Sequence, residues 1–327
     1  MERQICGRNS EAGNQLKRMK TVVLTGATGF IGQFAIRPLL AKNYIVHAVT
    51  SKPIHSETTE NLFWHQTNLL DADETTALIK NVCPTHLLHF AWYVEHGKVW
   101  NAVENLDWLQ AGVHLARQFV ERGGERFVIS GSCAEYDWTE DGIFSEKLTR
   151  LRPQNLYGAS KHALNLTLEN FAKISNLSYA WGRVFYLFGA NESPNRLVPS
   201  VINALLKNKL AETSHGNQIR DFLNVEDVAK AFVALLESDV FGSVNIASGK
   251  GVKIADVVNE IADIAGKREL LRIGALPASK NEPLEMVADT TRLREEVGWQ
   301  KNFDLKKSLT KTFEWWKKNL ETAIDDK

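Results

Sequence analysis

The chain has 327 residues, 44% of them hydrophobic and 24% charged, with 39 basic and 39 acidic side chains and so no net charge. That length exceeds one small core and implies one large domain or two interlocked ones. The even charge leaves no basic surplus for nucleic acid or an anionic membrane, and no apolar run approaches the roughly 18 residues of a membrane span.

Residues 1–19 are polar and lack the apolar core of a signal peptide. They read as a disordered tail or an over-extended start, with Met19 as the alternative beginning. The cysteines, Cys6, Cys83 and Cys133, form no CxxC pair and no zinc-ligand spacing with the nine histidines. No metal site is expected, and a cytoplasmic protein is the simplest expectation.

From Thr21 short β-branched runs alternate with amphipathic stretches. TVVLTG reads as a buried strand, IGQFAIRPLLAKN as its helix, YIVHAVT as a second strand and NLFWHQTN as a third. DADETTALIKNV reads as an acid-capped helix before the strand THLLHFAW, and a long helix spans about residues 102–121. RFVIS, a helix bearing Tyr157, and SYAWGRVF follow. This rhythm predicts an α/β fold with a doubly wound parallel sheet. After Phe188 turn formers and prolines interrupt it, predicting a smaller second lobe.

The first strand runs into GATGFIG, with Gly26, Gly29 and Gly32 at three-residue spacing. A strand, a glycine-rich turn and a helix N-terminus together suit a pyrophosphate, which backbone N–H groups and the helix dipole would hold. A tight turn without a ligand is the alternative. The second strand ends in Thr50, Ser51 and Lys52 with no acid. An acid there would bind the adenine ribose hydroxyls of NAD, so its absence favours NADP over NAD. A solvated loop lysine is the other reading of Lys52.

In NLYGASKHAL, Tyr157 precedes Lys161 by four residues. On a helix the two share a face, so the ammonium is expected beside the phenol, lowering a pKa that is otherwise about 10. The alternative is a surface tyrosine packed on a lysine stem.

These motifs resemble an extended short-chain dehydrogenase/reductase of the NAD-dependent epimerase/dehydratase family, over nearly everything from Lys20 to about Trp316. GATGFIG matches the phosphate turn, HFAW the strand end under the cofactor, ISGSCAEY the strand with the catalytic hydroxyl and YGASK the Tyr/Lys helix. GNQIRDFLNVEDVAKA followed by VNIASG matches the nucleotide-sugar branch.

The resemblance implies a Rossmann-type NAD(P)-binding domain over 20–190, with 217–248 returning to it, and a substrate-binding lobe drawn mainly from 191–327. It implies that Ser132 hydrogen-bonds the substrate carbonyl, that Tyr157 is the general acid or base, and that Lys161 holds the nicotinamide ribose and tunes Tyr157. Cofactor contacts are implied for Gly26, Thr28, Gly29, Phe30, Ile31, Gly32, Ser51, Lys52, Asn68, Leu69, Phe90, Ala91 and Trp92. Asn105 is a candidate for ordering its helix. Tyr93 borders the substrate, and Arg220 resembles the arginine that grips a sugar nucleotide's diphosphate. An Arg220–Asp221 structural contact is the alternative. Arg196 is a further nucleotide contact, and Cys133 is expected to be a buried small residue.

Three chemistries compete within the branch. The 4,6-dehydratases carry Asp–Glu directly after the catalytic hydroxyl, where this chain has Cys133 and Ala134, with Glu135 one residue late. A 4-epimerase keeps NAD tightly bound, which fits a second strand leaning to NADP poorly. The segment from Arg272 to Leu309 resembles the tail of CDP-abequose synthase-type reductases, which favours a nucleotide-4-keto-6-deoxysugar reductase. A non-catalytic NADP-binding sensor is the rival from another class. A homodimer through the helix near 102–121 and the Tyr157 helix is also implied.

Overall fold

The computed structural model describes residues 20–54, 58–278, 282–300 and 304–325; the tail expected over 1–19 lies outside them. The chain opens with β1 (Thr21–Thr25), α1 (Gly32–Ala41), β2 (Ile45–Thr50), β3 (Leu62–Gln66), α2 (Ala72–Val82) and β4 (His86–His89). It continues with α3 (Glu104–Glu121), β5 (Arg126–Ser132), β6 (Gly142–Phe144), α4 (Leu156–Ser175), β7 (Ser178–Val184), β8 (Tyr186–Phe188) and α5 (Leu197–Leu206). The last part contains β9 (Ala211–Thr213), β10 (Ile219–Asn224), α6 (Val225–Glu237), β11 (Gly242–Ile246), β12 (Gly251–Lys253) and α7 (Ile254–Ala265). It closes with β13 (Leu271–Ile273), β14 (Glu285–Ala288) and α8 (Leu305–Asp325).

Seven strands form the central sheet in the order β11-β7-β5-β4-β1-β2-β3, every neighbouring pair parallel. One hydrophobic core lies on the face of α1 and α6, and another on the face of α2, α3 and α4. Strands covered on both sides must be apolar throughout, as Val22, Val23 and Leu24 of β1 are. The strand order reverses between β1 and β4. Ligands of open α/β sheets bind in the crevice at such a point, beyond the carboxyl ends of the strands.

A second sheet, β12-β10-β14-β6 with β8 on β10, lies with α5, α7 and α8 around a third core that includes Phe188, Ile202, Phe222 and Ile261. β6 comes from the first half of the chain, so this sheet is not assembled from the last third alone. A fourth cluster, with Cys133, Tyr136, Phe144, Phe185 and Met286, joins the end of β5 to the second sheet.

Local sequence explains the helix starts. Asp71 accepts the N–H groups of Asp73 and Glu74, so α2 begins there. Asn155 accepts Gly158 N–H at 2.8 Å to start α4, and Asn176 ends it in the left-handed conformation.

Candidate active site

Three strand ends meet at the switch point. The turn after β1 has Gly26 at φ +66°, and Gly29 N–H donates to Gly26 O at 2.9 Å. A Cβ on Gly32 would stand 2.1 Å from Gly26 O, and one on Gly26 would stand 2.9 Å from Ala91 N. The turn therefore folds back on itself against the end of β4 and leaves a cradle of bare backbone at the start of α1. No acid occupies the first turn of α1. These features fit the pyrophosphate of a dinucleotide.

Thr28 Oγ1 lies 2.9 Å from Thr50 Oγ1, and Lys52 N–H donates to Thr50 Oγ1 at 3.1 Å, tying the phosphate turn to the end of β2. Ser51 and Lys52 are exposed beside it, while Phe30 and Ile31 are half-buried. Asn68 accepts Leu70 N–H and gives its own N–H to Glu74, shaping the bend before α2. Leu69 turns its side chain into the core. Beyond β4, Phe90 packs edge-on against Phe232 with ring centroids 4.9 Å apart. Ala91 N–H meets Thr25 Oγ1 at 3.3 Å.

Ser132 is the last residue of β5. Its hydroxyl accepts Ala134 N–H at 3.1 Å and is hydrogen-bonded to the Tyr157 phenol. Tyr157 reaches it because α4 starts hard against the turn after β5: a Cβ on Gly158 would stand 2.2 Å from Ala134 O. Burial pushes the Tyr157 phenol up to about 12, opposed by the Ser132 hydrogen bond.

Lys161, expected to tune Tyr157, takes its polar partner from β5. The Lys161 ammonium donates to Ser130 O at 2.8 Å and lies 3.7 Å from the centroid of the Trp92 ring. Burial lowers its pKa to about 7, opposed by the charge of Glu135. A buried carbonyl and an aromatic face satisfy the Lys161 ammonium. Asn105 fixes Trp92 by accepting its indole N–H at 2.8 Å, while donating to Val99 O and Ala102 O at the start of α3.

Next to Tyr157, Trp100 packs edge-on against both Tyr157 and Trp138, with centroids 5.9 and 5.7 Å away. Tyr93 donates to Glu95 in the same loop. Arg196 stands at the start of α5, close enough for its charge to act on Tyr157, His96 and Glu192. Glu192 is buried, and desolvation raises its carboxyl to about 8 against the pull of Arg196.

Arg220 is fully buried, 5.3 Å from the centroid of Tyr186, and donates to Ile219 O, Leu284 O and the Glu282 carboxylate. The alternative of an Arg220–Asp221 contact fails. Asp221 accepts instead from the N–H groups of Ser248, Gly249 and Ala288 and from the Ser248 hydroxyl. Successive residues of a strand point to opposite faces, which separates the two side chains.

Sequence reasoning missed the Trp92 seat of Lys161, the Glu282 partner of Arg220, and the buried set of Glu135, Trp181 and Arg183. Only the last left a signal, an ionisable pair inside apolar runs. Cys133 is a free, buried thiol whose pKa burial pushes up to about 12. A hollow of about 580 Å³ between the ends of α3 and α4, near Gly123 and Asn176, holds none of the candidate residues. Among the described residues no three His, Cys, Asp or Glu side chains are grouped for a metal ion. None of their helices is long and apolar enough to cross a membrane.

A parallel sheet with a phosphate turn at its switch point, and a serine–tyrosine pair across the crevice, defines a dinucleotide-dependent class. The model of the "NAD dependent epimerase/dehydratase family" matches residues 22–247, and the chain belongs to that family. CDP-abequose synthase of Salmonella typhimurium is 23% identical over 297 residues, covering 88% of this chain and 95% of that protein. UDP-glucose 4-epimerase of Rhizobium meliloti is also 23% identical, over 326 residues, covering 90% and 96%. The crystal structure of UDP-glucose 4-epimerase from Thermotoga maritima with UDP-glucose superposes with a TM-score of 0.83 at 21% identity, covering 92% of this chain and 99% of that one.

Proposed function

We propose that the chain is an NAD(P)-dependent oxidoreductase that reduces the 4-keto group of a nucleotide-linked 4-keto-6-deoxysugar. One observation carries this reading. Ser132 and Tyr157 stand together at the carboxyl end of β5, while the positions after Ser132 are the buried, apolar Cys133 and Ala134. The nearby Glu135 is closed into an ion pair with Arg183, leaving no free Asp–Glu pair for dehydration.

A reduced nicotinamide held over the phosphate turn would contribute hydride chemistry at the sugar C4 carbonyl carbon. Tyr157 gives its phenolic proton to the carbonyl oxygen, and Ser132 donates a hydrogen bond to that oxygen as negative charge builds on it. The phenol, held near 12, acts as an acid. Trp100 and Trp138 wall the sugar on the side of Tyr157, an apolar surface that suits a C6 methyl group better than a hydroxymethyl. Arg220 and Arg196 supply positive charge for the diphosphate.

Gly26, Gly29 and Gly32 would hold the pyrophosphate, with Thr28, Phe30 and Ile31 around it. Asn68, Leu69 and Phe90 to Trp92 would border the adenine and nicotinamide halves. The exposed Ser51 and Lys52 support NADP over NAD, since neither repels a 2′-phosphate. We also read the outer faces of α3 and α4 as a homodimer surface, supported by the exposed Val103, Leu106, Leu166 and Ile174.

The second reading is a nucleotide-sugar 4-epimerase with tightly bound NAD, supported by the 23% identity to UDP-glucose 4-epimerase. Purified protein mixed with CDP- or dTDP-4-keto-6-deoxyglucose and NADPH or NADH separates the two. Loss of reduced-cofactor absorbance in proportion to sugar supports the reductase. No oxidation with any pair, together with NAD released on denaturation, supports the epimerase.

A further inference from the structure

We infer that Glu135 is a positioning residue for Ser132, held in register from beneath by Trp181 and Arg183. This rests on the reading that Ser132 acts on the substrate. Glu135 is fully buried in the short turn after β5. Its Oε1 accepts two hydrogen bonds, from Ser132 N–H at 2.8 Å and from the Trp181 indole N–H at 2.8 Å. Its Oε2 accepts from Arg183 Nε–H at 2.9 Å.

Ser132 is thereby pinned at both ends, its N–H by Glu135 and its hydroxyl by the bond from Ala134 N–H. Trp181 and Arg183 are two apart on β7 and so share a face, which lets both reach one carboxylate. Arg183 in turn has its guanidinium 5.0 Å from the Tyr136 ring centroid and Nη1 3.5 Å from the Tyr136 hydroxyl. The cluster fits without slack, since a Cβ on Gly131 would stand 1.9 Å from Trp181 Nε1 and 2.6 Å from Glu135 Oε1.

A buried ion pair adds little net stability over an apolar pair of the same volume. What it gives here is geometry. Ser132 ends its strand, where backbone is apt to move, and a carboxylate anchored by two side chains of β7 removes that freedom. The same charge also acts on Lys161 of α4, whose ammonium is bound to Ser130 O of β5.

The test exchanges the pair without stranding a buried charge. Glu135→Gln with Arg183→Gln keeps an oxygen acceptor for Ser132 N–H, whereas Glu135→Val with Arg183→Leu removes it. With dTDP- or CDP-4-keto-6-deoxyglucose and NADPH, the amide pair is expected to keep kcat within about threefold. The apolar pair should lose about tenfold or more at unchanged KM, since a misplacement of about an ångström costs that order. Hydrogen exchange at the Ser132 amide should be slow in the wild type and amide pair, and fast in the apolar pair.

An apolar pair with wild-type kcat and wild-type Ser132 protection would overturn the inference. Ser132→Ala is measured alongside. If it leaves kcat unchanged, the reading of Ser132 as a substrate contact falls instead, while the exchange rates still decide whether Glu135 holds Ser132.

Discussion

The ammonium of Lys161 sits 3.7 Å from the centroid of the Trp92 ring and gives a hydrogen bond to Ser130 O. β5 and the segment that follows β4 thus hold the ammonium of α4 between them.

Stability should follow the protonation of Lys161. Its pKa in the folded chain is about 7, against an ordinary 10.5, with burial as the main cause. Between these values the unfolded chain binds more protons, so stability rises with pH across about 7 to 10.5. Below 7 both states carry the charge and the penalty is full. Lys161→Met should therefore raise Tm most below pH 7, by several degrees, with the gain shrinking toward pH 10. Thermal unfolding of both proteins without cofactor, from pH 6 to 10, checks this. A gain independent of pH would contradict it.

Gly158→Ala should be costly although alanine favours helices. Its methyl would meet the backbone oxygen of Ala134 at 2.2 Å, so α4 must move away from the turn bearing Ser132. A loss of about 1–3 kcal/mol is expected from the overpacking, and kcat should fall as Tyr157 withdraws from Ser132. Denaturant unfolding and turnover on the same variant measure the two effects.

Tyr157→Phe should reduce turnover by about 10²- to 10⁴-fold, the usual worth of a positioned proton donor. Cofactor affinity, followed by the fluorescence of bound NADPH or NADH, should stay within a few fold. Equal turnover of the variant and wild type would remove Tyr157 from the chemistry.

Arg220 meets the Glu282 carboxylate at 3.0 Å, and a diphosphate must compete with that partner. Glu282→Gln should tighten UDP or CDP binding by up to about fivefold, since a pair with one partly exposed member is worth ~1 kcal/mol or less. Arg220→Met should weaken it. Calorimetric titration with each nucleotide at two salt concentrations checks both, and unchanged affinity in the two variants would take Arg220 out of the site.

How much of this was legible in the sequence follows from how local each signal is. The phosphate turn and the helix of Tyr157 are short-range patterns, set by glycine spacing, strand alternation and the Asn155 cap, and they stand where the motifs placed them. The partners of long side chains are long-range. Lys161 is satisfied by Ser130 and Trp92, 31 and 69 residues earlier, and Arg220 by Glu282, 62 residues later. The alternative of an Arg220–Asp221 contact fails for the same reason that neighbours in a strand do not meet: adjacent residues face apart. Strand β6 was also illegible, as three residues in a loop-rich stretch give no period.

The most direct test of the reductase reading follows one hydride. The protein would be incubated with dTDP- or CDP-4-keto-6-deoxyglucose and NADPH or NADH deuterated at the nicotinamide C4, and the sugar product weighed by mass spectrometry. One deuterium at C4 of each product sugar, matched by one oxidised cofactor, is the expected result. Unlabelled 4-keto sugar recovered with no cofactor oxidised would contradict it, and inversion at C4 of UDP-glucose by the same protein without added cofactor would put the epimerase reading in its place.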